Sequence, residues 1–175
     1  MLTCAGAPSG NGADLRGADV SNADLTDANL RGVNLSGANV SNARMAGVHV
    51  GGLASGRLVG EPMTLSSDLR LVGGYLVGPG VRLDGADLQG ADLAGMDLTG
   101  AYLANADLRG ANLTDTQLLY ANLENAELSG SDIEGASFVG AKLLGVKSGN
   151  PEIVTGTPKE LPTRWALLDG LLVQV

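Results

Sequence analysis

Residues 86–113 read ADLQGADLAGMDLTGAYLANADLRGANL, and one spacing governs the stretch: Leu88, Leu93, Leu98, Leu103, Leu108 and Leu113 fall five residues apart. Two places before each stands a small or apolar residue, from Ala86 and Ala91 through Met96 to Ala101, Ala106 and Ala111. A period of five matches neither the 3.6-residue turn of an α-helix nor the alternation of a strand, so neither an amphipathic helix nor a hairpin sheet accounts for it. The chain must coil. With the Leu and the residue two before it turned inward, each repeat is one short side and a corner. The Gly or Asn that commonly follows two places after the Leu gives that corner its backbone freedom. Small Ala and larger Leu then fill a narrow interior, and successive coils bond to one another at the inter-strand spacing of about 4.8 Å.

Working outward, the same period continues through Leu83, Leu118, Leu123, Leu128, Ile133, Phe138 and Leu143. It recurs earlier in the chain at Leu15, Val20, Leu25, Leu30, Leu35, Val40, Met45 and Val50. From Val50 to Leu83 the step is 33, which is no multiple of five. Across this break Gly60, Pro62, Leu65, Leu69, Leu71, Gly74, Leu76 and Val77 align without a gap on Gly156, Pro158, Leu161, Trp165, Leu167, Gly170, Leu172 and Val173, each pair 96 apart. The chain therefore reads as a tandem duplication of a repeat run followed by a Pro-containing excursion. Its predicted organisation is an N-terminal tail (1–12), a first repeat block (13–52), an irregular excursion that rejoins the solenoid (53–80), a second block (81–147) and a C-terminal excursion or cap (148–175). The step of 33 is read as one coil plus a loop that keeps the blocks coaxial, with a hinge between separate solenoids as the alternative. Trp165 is expected to plug the core of the cap.

Composition sets outer bounds. The 175 residues fit one domain and 44% hydrophobic content suits a folded chain, yet aromatics are only 3% and Gly reaches 27, which excludes a core of large interlocking side chains. No run approaches the roughly 18 apolar residues of a membrane span, and the start at Met1 lacks the marks of a signal peptide. The default expectation is a cytoplasmic protein, or a fragment of a longer one. Cys4 is expected to be a free thiol in a loose tail. A formal charge of −8 argues against direct nucleic acid binding, which rests on cations that neutralise phosphate.

The repeats at 13–50 and 81–146 resemble those of the pentapeptide repeat family. That resemblance implies an all-β fold: a right-handed quadrilateral parallel β-helix with four repeats per coil. Residues twenty apart would then stack, placing Asp87, Asp107 and Glu127 in one column and Asp92, Asn112, Asp132 and Glu134 on the adjoining face. Thr99, Leu119 and Val139 would stack on the next, with Tyr120 at the corner and Tyr102 and Leu144 beyond it. This apolar set would be covered by the C-terminal excursion or by a second subunit in a homodimer, the excursion being the simpler cover.

No residues converge on catalytic chemistry. The Asp side chains recur at one repeat position without a base or nucleophile beside them. His49 takes that same polar position, and one His with one Cys makes no zinc site. The Gly-rich stretch at 72–80 lacks a phosphate-binding lysine and a following helix, so it reads as a turn. No catalytic residue, cofactor or metal is expected. The functional expectation is a non-enzymatic structural or protein-interaction solenoid that presents an acidic surface to a protein partner, with solubility as the plainer account of the charge. The alternative, implied by the family's gyrase-protecting members, is a DNA mimic that modulates a type II topoisomerase.

Overall fold

The computed structural model describes residues 12–149 and 153–175, and the Cys4 expectation lies outside them. The chain divides into two compact units, Met1–Arg82 and Leu83–Val175. Among the described residues each is built from strands, bridges and turns, with no helix.

In the second unit, parallel bridges join Asp87 to Asp107 and Asp107 to Glu127, then Glu127 to Lys147. Three further columns run Asp92–Asn112–Asp132, Asp97–Gln117–Ser137 and Tyr102–Asn122–Lys142. Every step is twenty residues. The first unit follows the same rule, from Asp14↔Asn34↔Ala54 to Asn29↔His49. It includes β1 (Arg44–Met45) paired in parallel with β2 (Thr64–Leu65).

The repeat satisfies its own backbone almost completely. In the repeat that starts at Asp107, the Asp107 N–H bonds to Ala86 O at 2.9 Å in the preceding coil. Leu108 N–H bonds to Glu127 O at 2.8 Å and Gly110 N–H to Ser129 O at 3.0 Å in the following one. Ala111 N–H closes the corner onto Leu108 O at 3.0 Å. Inside, Ala106, Leu108, Ala111 and Leu113 are fully buried, as are Leu93, Leu98, Leu103, Leu118 and Phe138. Each buried Leu contributes on the order of 2 kcal/mol through removal from water. Nearly every coil is thus both its neighbours' hydrogen-bond partner and the wall of a common core.

Each excursion joins stacked coil to a hairpin. Stacking outlasts the motif in the first unit, where Ala54, Val59 and Thr64 still pair with Asn34, Asn39 and Arg44 although the regular repeats end earlier. The chain then leaves as a hairpin of β3 (Arg70–Val72) and β4 (Tyr75–Val77) and returns to pair Arg82 with Ala54. In the second unit Thr155 and Glu160 pair with Asp132 and Ser137, so this excursion first extends the stack. Only afterwards does it form the hairpin of β5 (Trp165–Leu168) and β6 (Leu171–Gln174). Trp165 does not plug the cap. It is half-buried opposite Gln174, while Leu172 is the buried member of the hairpin.

The narrow interior makes a direct test available. Ala106→Leu adds volume at a site with no exposed surface, and should cost about 1–3 kcal/mol in urea unfolding through overpacking. An unchanged midpoint would show that the interior has room to spare.

Candidate partner-binding surface

One backbone N–H per repeat is left over by the coil-to-coil bonds, and the side chain at the Asp or Asn position accepts it. Asp107 Oδ1 accepts Arg109 N–H at 3.1 Å, Asp97 Oδ1 accepts Thr99 N–H at 2.8 Å and Asp132 Oδ1 accepts Glu134 N–H at 3.1 Å. Asn does the same: Asn34 accepts Ser36 N–H at 3.0 Å, Asn112 accepts Thr114 N–H at 3.1 Å and Asn122 accepts Glu124 N–H at 3.1 Å. This turn needs an oxygen acceptor two residues before the donor and has no need of a charge. Where the chain uses Asp instead of Asn, the negative charge is surplus to the fold. Sequence reading recognised the position as polar and missed this role, although its alternation between Asp and Asn is the visible signal.

The structure brings Asp87, Asp107 and Glu127 into one column as expected, but that column is not a bare row of anions. The Arg109 guanidinium bonds both carboxylate oxygens of Asp107, with Nε to Oδ1 at 2.8 Å. Lys147, next in the same column, pairs with Glu127. The hydrogen bonds from the Arg109 side chain hold the Asp107 carboxyl below the ordinary value of 3.8, against a smaller opposing effect of burial.

Asp92 and Asp132 share the adjoining column with Asn112, whose Nδ2 donates to Asp92 Oδ1 at 3.1 Å. Glu134 lies at the following corner, outside that column, and its Oε2 accepts the Thr157 N–H at 2.6 Å, which fastens the C-terminal excursion. The hydrogen bonds to Asp92, Asp97 and Asp132 come from neutral N–H donors. Asp92 and Asp97 are exposed, whereas Asp132 is half-buried where Thr155 and Gly156 of the C-terminal excursion lie over it; Asp97 was not among the expected residues.

The apolar set is not covered by the C-terminal excursion, which stacks on the coil end and then folds as a hairpin against residues 148–149. Tyr102, Tyr120 and Leu144 are 47%, 68% and 67% exposed, while Leu119 and Val139 are half-buried. Tyr120 has φ 57 at a corner position that the second unit otherwise fills with Gly, Asn or Asp. Its ring lies against Gly140 of the next coil, where an added Cβ would come within 2.5 Å of Tyr120 Cδ1.

Two outcomes follow from this geometry. The folded-state value of Asp107 is depressed, so its contribution to stability is whole above the unfolded value and is lost as the pH falls through the folded one. In an NMR titration Asp107 should have its midpoint below 3.8, and Arg109→Ala should raise that midpoint; no movement would show that Arg109 does not set it. Tyr120→Gly should raise stability by about 1 kcal/mol, because Gly has no Cβ penalty at positive φ. A loss of stability in urea unfolding would mean that the ring's packing on Gly140 outweighs the strain.

A profile of pentapeptide repeats matches this chain over residues 11–47, 80–115 and 106–145, in 8 copies. A comparison with curated protein sequences finds no match. Among solved structures, a pentapeptide repeat protein of the Arabidopsis thaliana thylakoid lumen is 26% identical, covering 83% of this chain and 74% of its own, with a TM-score of 0.36. HetL, a pentapeptide repeat protein involved in heterocyst differentiation regulation in the cyanobacterium Nostoc, is 25% identical over 93% of this chain and 73% of its own, with a TM-score of 0.38. QnrB1, a plasmid-mediated fluoroquinolone resistance protein, is 15% identical over 75% of this chain and 78% of its own, with a TM-score of 0.27. With more than half of its length matched by the repeat profile, the chain belongs to the pentapeptide repeat family, whose members form right-handed β-helices and are generally non-enzymatic.

Proposed function

We propose that this chain is a non-enzymatic protein-interaction solenoid that offers a stacked acidic surface to a basic protein partner. The observation that carries this reading is the equivalence of Asp and Asn in the turn. Asn serves at residues 29, 34, 39, 112 and 122, so the carboxylates at 92, 97 and 132 meet no requirement of the coil. Their spacing supports a rigid display. A five-residue period combined with pairing twenty residues on is what a four-sided shaft with four repeats per coil would give, which fixes Asp92 and Asp132 two coil steps apart on one face. At the parallel-strand spacing that separation is about 10 Å, close to the Debye length at physiological salt. A lysine-rich surface could meet both carboxylates at once.

A second reading, a DNA mimic that modulates a type II topoisomerase, draws on the same feature: anionic groups at a fixed pitch along stacked coils. The pairing of Asp107 with Arg109 and of Glu127 with Lys147 weakens it, because the most regular column is largely neutralised.

The triple variant Asp92→Asn, Asp97→Asn, Asp132→Asn tests the first reading. It should keep its thermal midpoint and lose at least about tenfold in affinity for a lysine-rich peptide at physiological salt, which is roughly 1.4 kcal/mol. Unaltered affinity would contradict the proposal. A supercoiling assay with purified gyrase, with and without a fluoroquinolone, separates the two readings. Inhibition or protection by micromolar protein selects the mimic, and none selects the protein partner.

A further inference from the structure

Tyr120 departs from its unit in both backbone and surroundings. At φ 57 it holds the left-handed conformation that the stacked corners on either side give to Gly100 and Gly140, and that other corners give to Asn105, Asp115 and Asn125. A bulky L-residue is disfavoured there, where Asn and Asp offset the penalty through local hydrogen bonds. Burial offers Tyr120 little in return, since it is 68% exposed, with the Cδ1–Cε1 edge of its ring on Gly140. The corner has a coil on each side: Gly100 N–H bonds to Leu119 O and Tyr120 N–H to Val139 O, both at 2.8 Å. It therefore stands on the flank of the second unit, not at an end of its stack. Strain held under an exposed ring is a mark of use outside the fold.

Two faces meet at this corner. The half-buried Leu119 and Val139 lie in the column beside it, and the exposed Tyr102 lies on the face beyond, in the column of Asn122 and Lys142. The charge on these two faces is one-sided. Among residues 83–146 it consists of Asp84, Asp97 and Glu124 against Lys142, and the excursion adds one charge of each sign, Lys159 and Glu160, near Ser137. Asp97 is exposed and heads the column of Gln117 and Ser137, on the strand that runs into the corner at Gly100. A second copy laid face to face would set like charges together, whereas a cationic segment is drawn to them.

We infer that the Tyr120 corner anchors a segment of a partner protein in which arginines flank aliphatic residues. One arginine lies over the Tyr120 ring, another faces Asp97, and the aliphatic side chains between them cover Leu119 and Val139. Arginine suits both halves of the site, because its planar cation stacks on an aromatic face and pairs with a carboxylate while its stem covers apolar surface. This inference rests on the acidic-surface reading and adds the place and the residue type by which the partner is held.

The test uses the isotopically labelled full chain and the capped peptide Gly-Arg-Leu-Val-Arg-Gly at physiological salt. Saturable shifts of the Asp97, Leu119 and Tyr120 amide signals are expected, with a dissociation constant of about 1 mM or tighter. Tyr120→Asn puts at the corner the residue that positions 105 and 125 already carry, and should weaken binding at least about fivefold while the urea midpoint holds or rises. Glutamine in place of both peptide arginines should abolish the shifts. No shifts with the arginine peptide, or equal binding by the Tyr120→Asn chain or by the glutamine peptide, would overturn the inference. Binding lost with Asp92→Asn, Asp97→Asn, Asp132→Asn but kept with Tyr120→Asn would remove this inference and leave the acidic-surface reading standing. Sedimentation that shows a dimer abolished by Tyr120→Asn would also overturn it, because a second copy would then be the occupant.

Discussion

Backbone hydrogen bonding between residues twenty apart is the constraint from which the rest of this structure follows. Each five-residue repeat has five N–H groups; in the repeat at Asp107, three go to adjacent coils, one closes the corner and one is taken by the Asp side chain. A buried or half-buried amide without a partner costs more than a bond gains, so a repeat that leaves none over can be stacked many times with only Ala and Leu inside. That is how each unit of a chain with 3% aromatic residues obtains a core.

The same accounting separates charge from architecture. Because amide and carboxylate oxygens are interchangeable in the turn, charge can vary along the solenoid without disturbing the coil. The second unit places Asp where the turn would accept Asn, and in one column it places Arg109 and Lys147 against the resulting anions. Glu134 goes to the C-terminal excursion instead of to solvent alone. The acidic character is therefore uneven around the unit, and the exposed Asp92 and Asp97 carry more of its outward part than the half-buried Asp107 or Glu127 does.

Most of the fold was legible because one period governs it. The inward positions, the corners and the columns follow once the five-residue spacing is combined with the family's coil. The excursions were less legible. Their 96-residue correspondence marked two matching excursions but not that each ends in a hairpin, and the coil read within the step of 33 is one whose Ala54, Val59 and Thr64 pair through backbone and not through side-chain pattern. Trp165 misled because its size suggested burial, whereas the hairpin turns Leu172 inward. The acidic column was overstated because residue type shows a charge but not its partner: Arg109 is two residues from Asp107 and Lys147 twenty from Glu127. Tyr120 was correctly placed at a corner, while its positive φ is invisible to composition.

Cross-linking tests the twenty-residue register most directly. In a Cys4→Ser background, Asp107→Cys with Glu127→Cys should oxidise to an intramolecular disulfide, since paired residues of neighbouring coils lie within the roughly 4.4–6.8 Å span of Cα atoms that a disulfide bridges. Asp107→Cys with Asp132→Cys, one repeat out of register, should stay reduced under the same conditions. Equal oxidation of both pairs, or of the second alone, would contradict the stacked coil on which this account is built.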